Sequence, residues 1–240
     1  KICSDLAEKN SDAYLPYLAR SCNNLADLLC NTGFFKESEE LYREALKIYR
    51  SLAEKNPDAY LPDLALSCSN LASLLQDVHS FKEAEKLHRE ALKIRRDLAE
   101  KNPDVYLPSL AISCNNLAYL LSDTGSSKEA EELYREALKI CSDLAEKNSD
   151  AYLPYLARSC NNLAYLLSDI GSFKEAEELY REALKIRRNL AEENPKVYLP
   201  KLQLVCDNLT ALLEKTGRRE EADSLRREVA EFYQKQLAQQ

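Results

Sequence analysis

The chain has 240 residues, of which 45% are hydrophobic and 30% charged, and a formal net charge of −7. An acidic balance of this kind lacks the basic stripe that marks a nucleic-acid surface. No apolar run reaches the length that crosses a bilayer and no stretch has the anatomy of a signal peptide, so neither nucleic acid nor membrane is an expected partner.

Taken from its start, the chain opens inside a predicted helix and then repeats itself. Ser-Cys-Asn-Asn-Leu-Ala-Tyr-Leu-Leu at 113–121 recurs intact at 159–167 and in close variants at 21–29, 67–75 and 205–213. Its cysteines, Cys22, Cys68, Cys114, Cys160 and Cys206, stand 46 residues apart. A fixed period in this range predicts a stacked array. Residues 1–10 read as a partial second helix of a repeat, and the five repeats after it, at about 11–56, 57–102, 103–148, 149–194 and 195–240, form a single array. Residues 1–26 are identical to 139–164 and the chain contains no Met, so a piece of a longer array with further near-identical repeats before Lys1 is expected.

Within the repeat at 103–148, apolar residues at Leu107, Leu110, Ala111, Cys114, Leu117, Ala118 and Leu121 follow helical spacing and predict a first helix, helix A. A Tyr-Leu-Pro motif with Pro16, Pro62, Pro108, Pro154 or Pro200 reads as the helix entry, where a proline costs little. Helix A should end near Asp123, with Gly125 closing it; Gly33, Gly171 and Gly217 match, and His79 takes the same turn position in the second repeat. Helix B then carries Ala130, Leu133, Tyr134, Ala137, Leu138, Cys141, Leu144 and Ala145 on its apolar side and Glu129, Glu131, Glu132, Arg135 and Glu136 on the other. Lys147 and Asn148 close it. The last helix B has drifted, with Arg226 where Tyr42, Tyr134 and Tyr180 stand and Arg219 where Phe35, Phe81 and Phe173 stand, which fits a polar C-terminal cap.

Of the eight cysteines, five share one repeat position and Cys3 and Cys141 share another, and neighbouring repeats lie roughly 10 Å apart, beyond the ~7 Å a disulfide allows. Small buried thiols in a reducing cytoplasm are expected, without disulfides. Two His and no Cys-x-x-Cys give no metal set, and no phosphate loop, zinc-protease motif or isolated Cys/His pair points to an enzyme or a cofactor.

Cys114, Leu117, Ala118, Leu121, Ala130 and Tyr134 fall at the spacings of the tetratricopeptide repeat, and the pattern recurs through all five copies. The chain therefore resembles that family, with Cys in place of Trp, Ala or Thr in place of Gly, and Leu in place of the first Tyr. Each repeat is about 12 residues longer than the usual ~34. The long repeat with its Asn-Asn-Leu-Ala core is similar to kinesin light chains and related bacterial arrays. The resemblance implies an all-α, right-handed superhelical solenoid of stacked antiparallel helix hairpins. It also implies a peptide-binding groove lined by helix A.

In that family the side of helix A opposite the core looks into the groove. The resemblance puts there an invariant column, Asn24, Asn70, Asn116, Asn162 and Asn208, whose amides can pair with the backbone of an extended peptide. Variable positions would set specificity: Arg20 and Arg158; Asp27, Ser73, Tyr119 and Tyr165; and Asn23, Asn115, Asn161 and Asp207. The family's clamp for C-terminal carboxylates needs several Lys and Arg, whereas this groove has Arg20, Arg158 and several Asp. The expected function is a protein-interaction scaffold binding an extended peptide or a helix. The alternative is a structural spacer, or an array that self-associates through its open N-terminal face.

Overall fold

The computed structural model describes residues 11–238. All regular structure among them is helical, in ten helices: α1 Ser11–Asn31, α2 Phe35–Lys55, α3 Pro57–Asp77, α4 Phe81–Lys101, α5 Pro103–Asp123, α6 Ser127–Lys147, α7 Ser149–Asp169, α8 Phe173–Glu193, α9 Pro195–Lys215 and α10 Arg219–Leu237. The odd-numbered helices are the five copies of helix A, and the even-numbered ones are the copies of helix B. The partial helix expected over 1–10, and Cys3 with it, lies outside the described residues.

The chain divides into two compact units, Lys1–Thr124 and Gly125–Gln240. In the N-terminal unit each helix packs on the next from α1 to α5, and α3 also touches α1 and α5. The C-terminal unit repeats the scheme from α6 to α10, with α7 touching α9. Consecutive helix hairpins therefore stack within each unit, as they must when one hairpin cannot bury both its faces.

The core is the apolar side read from the period. Cys68, Leu71, Ala72, Cys114, Leu117 and Ala118 are fully buried in the N-terminal unit, and Cys160, Leu163, Ala164 and Leu209 in the C-terminal unit. Helix B contributes Ala130, Tyr134, Ala137 and Cys141 with their counterparts. The seven cysteines among the described residues are free thiols. Burial pushes the Cys68 thiol up to about 12 and Cys206 to about 11.

Helix ends follow simple chemistry, with one revision of the sequence reading. Each Asn between repeats ends one helix and starts the next: Asn148 caps α6, and its side-chain oxygen accepts from Ala151 N at 3.2 Å. The prolines that open helix A are Pro57, Pro103 and Pro195, at the first helical position. Pro16, Pro62, Pro108, Pro154 and Pro200 lie further inside, not in the first turn. They are tolerated because the carbonyl each leaves without a donor, such as that of Asp58, belongs to the exposed first turn. At the end of helix A, Gly171 has φ +88° and His79, its equivalent in the second repeat, takes φ 62°.

Candidate functional site

One side of helix A carries no core residue. In α3 it runs through Asp63, Leu66, Asn70, Ser73 and Asp77, a spacing that keeps all five on one face. Large side chains stand out along it: Leu66 and Leu204 are exposed, and Tyr119 and Tyr165 are 54% and 60% exposed. Position, rather than apolarity, selects these residues, because the same turns of helix bury Cys and Leu on the other side.

The Asn column lies on this stripe. Asn24 is exposed, and Asn70, Asn116, Asn162 and Asn208 are half-buried. The amides of Asn70 and Asn116 form no hydrogen bond among the described residues. Asn208 differs: its Nδ2 donates to Asn161 Oδ1 at 3.0 Å, tying α9 to α7. Arg20 is exposed, as are Asp27, Ser73 and Asp207. Asp27 accepts from the buried Tyr42 hydroxyl; burial, together with this bond, raises the Tyr42 phenol above its ordinary range. Ser73 Oγ donates to the Ser69 carbonyl at 3.0 Å.

Asn23 and Asn115, expected beside the column, are buried instead. A residue one step along a helix turns by about 100°, so Asn23 and Asn115, each one place after the core Cys, turn away from the open side, whereas Asp207 at the same place in the last repeat is exposed. Asn23 Nδ2 accordingly donates to Ser67 Oγ on α3 at 2.8 Å, and Asn115 Nδ2 donates to the Ala111 carbonyl at 2.9 Å.

A position on helix B belongs to the same region, although it lies on the other helix of the hairpin. It holds Tyr49, Arg95, Cys141 and Arg187 in successive repeats, all buried against helix A. Arg95 Nη1 donates to Ser69 Oγ at 3.1 Å and also to Ser113 Oγ. In the C-terminal unit Asn161 and Val205 replace those two serines. Arg187 Nη2 donates to the Pro154 carbonyl at 3.0 Å, and its Nη1 has no partner. Burial lowers both guanidinium pKa values, and the charge of Arg158 adds to the effect at Arg187. The one signal available in the sequence is a charge interrupting an otherwise apolar column at the repeat period.

Helix B presents its charged side outward, and the repeat period aligns the charges. Arg43 makes two bonds to Glu83, at 2.7 and 2.9 Å, and Arg135 makes two to Glu175, at 2.6 and 3.1 Å. These pairs hold Glu83 and Glu175 below the ordinary carboxylate range.

The tetratricopeptide repeat profile matches residues 17–97, 63–143 and 109–189, in three overlapping copies. The chain belongs to the tetratricopeptide repeat family. Its likeness among solved structures is of the kinesin-light-chain kind. The crystal structure of BtubC (BKLC) from P. vanneervenii has a TM-score of 0.76 and 25% identity over 96% of this chain and 85% of that one. Nearly identical TPR-like repeats of a candidate kinesin light chain from Podosopora anserina, in a form with one substitution, have a TM-score of 0.71 and 22% identity, covering 93% and 98% of the two chains. The same repeats without that substitution have a TM-score of 0.69 and 22% identity, covering 92% and 97%. No curated protein matches the sequence. Tetratricopeptide repeat arrays are in general protein-interaction scaffolds, typically without catalysis, so a protein partner is the expected class for this array. Among the described residues of the array, no helix is long and apolar enough to cross a membrane and no group of three or more His, Cys, Asp or Glu could hold a metal ion.

Proposed function

We propose that this tetratricopeptide repeat array holds an extended peptide along the open stripe of helix A, its Asn amides pairing with the peptide backbone. The supporting observation is that Asn70 and Asn116 keep their donors and acceptor unused beside exposed Leu66 and Tyr119, while the opposite side of the same helices is closed by core. Backbone pairing gives affinity whatever the peptide sequence, and Arg20, Asp27, Ser73, Tyr119, Tyr165 and Arg158 supply preference. Buried free thiols suit a reducing compartment, and we take the location to be the cytoplasm.

A peptide-library screen followed by titration calorimetry tests this reading. Replacing Asn70 and Asn116 with Ala weakens a selected peptide by about 1–3 kcal/mol for two lost hydrogen bonds, with little change in melting temperature. A large fall in melting temperature with unchanged affinity of the folded fraction overturns it. The second reading, a spacer whose amides are structural, has the Asn208–Asn161 bond in its favour. It predicts that Asn208→Ala destabilises α9 and that the screen returns no ligand, and light scattering against concentration tests the self-association form of it.

A further inference from the structure

The C-terminal unit contains a cavity of about 700 Å³ between α7 and α9, backed by α8. Three cations line it: Arg158, Arg187 and Lys201. Asp150 is the acid in the lining, and its carboxylate accepts from Ser149 Oγ at 3.2 Å. Formal charge at the cavity is therefore close to +2. Other arginines of this unit, Arg135, Arg181, Arg188 and Arg218, each meet a glutamate. Among the described residues, Arg158, Arg187 and Lys201 form no ion pair.

The cations are held by other means. Arg187 is 6% exposed, is fastened by one bond to the Pro154 carbonyl, and has Nη1 without an acceptor; Arg158 Nε is likewise buried without one. Flat rings steady all three: Arg158 lies 5.8 Å from the Tyr155 centroid, while Arg187 and Lys201 lie 5.9 and 5.1 Å from that of Tyr198. An unpaired buried donor on a charged group is costly, and two like charges side by side add to the cost. At the equivalent place in the N-terminal unit the cost is absent: Arg95 has two serine hydroxyls, and Leu66 and Ser109 stand where Arg158 and Lys201 stand.

We propose that this cavity is a binding site for a dianionic phosphate monoester. A tetrahedral dianion offers several acceptors to guanidinium groups approaching from different sides, and its charge matches that of the lining. A single carboxylate would leave half of that charge uncompensated. The volume admits a phosphorylated side chain with its flanking backbone, in the range of ordinary ligand pockets. For the source of the phosphate, a phosphoserine or phosphothreonine of a bound protein, the inference rests on the scaffold reading above; the pocket chemistry does not.

Titration calorimetry on the full chain at constant ionic strength tests both parts, with O-phosphoserine, a short blocked phosphoserine peptide, serine and acetate as probes. Both phosphate probes should bind at pH 7.5, and serine and acetate should not. Affinity should fall about tenfold at pH 5, where the monoester, with its second pKa near 6, is mostly a monoanion. The double change Arg158→Leu with Lys201→Ser, which copies the N-terminal unit at two partly open positions, should abolish binding and leave the melting temperature intact. Arg187→Leu should also abolish it. Failure of both phosphate probes to bind, acetate binding as tightly as phosphoserine, or full affinity in the folded double variant overturns the site. Binding of free phosphoserine without the peptide supports the site and overturns its protein source.

Discussion

Arg95 and Arg187 occupy the same place in two repeats, yet their surroundings differ at almost every contact. In the N-terminal unit the guanidinium is enclosed by hydroxyls from the two flanking helix A copies. In the C-terminal unit it has one carbonyl, two neighbouring cations and a cavity in front. Helix B alone would not distinguish them, since both lie in a Lys-Ile-Arg-Arg run. The difference comes from helix A, where Ser69 and Ser113 give way to Asn161 and Val205, and it turns a satisfied core position into an unsatisfied one.

The largest contrast between the units should be acid sensitivity. His88 in α4 is 2% exposed and stands where α8 has Tyr180. Burial, followed by the charge of Arg95, lowers the His88 pKa to about 4. The unfolded chain takes up this proton near pH 6.5 and the folded chain only near 4, so stability is present above about 6.5 and is lost as pH falls toward 4. The loss is on the order of 3 kcal/mol for this group. Hydrogen exchange should show α4 opening more readily at about pH 4.5 than at pH 7, with α8 changing less. His88→Tyr should remove the difference; an unchanged slope would assign it to other groups.

Exchanging the arginine surroundings should give the next effect. Ser113→Val takes an acceptor from Arg95 and should cost about 1.5–3 kcal/mol, the worth of a hydrogen bond to a charged group. Val205→Ser offers Arg187 the missing acceptor but gives up buried methyl area, at about 0.8 kcal/mol per carbon. Its net effect should be small or stabilising. Denaturant midpoints of the two variants moving in the same direction by the same amount would break the comparison.

The smallest effect should be the one the units share. Glu83→Gln and Glu175→Gln each loosen a half-exposed pair on the outer face, Arg43–Glu83 and Arg135–Glu175. Each should cost no more than about 1 kcal/mol, less at high salt, and the same amount in both units. Urea melts at low and high ionic strength check this. Unequal losses would show that the outer face is not periodic in energy.

Much of this was legible in the chain itself. The 46-residue period, the apolar spacing around Cys114 and Tyr134, and the glycines after helix A determined hairpins, core and turns, because these depend on local spacing and on backbone freedom at single residues. The invariance of Asn24 and its four counterparts was equally plain. Only the tertiary structure decided which side of Asn23 and Asn115 is covered, since that depends on where the next helix A lies and not on their own turn of helix. It also decided that Pro62 sits within α3 while Pro57 opens it, and that Arg95 Nη1 finds two hydroxyl acceptors where Arg187 Nη1 finds none. Those last outcomes rest on side chains and carbonyls from helices 18 to 33 residues away, such as Ser113 and Pro154, and a periodic pattern read along the chain carries no record of which of them meet.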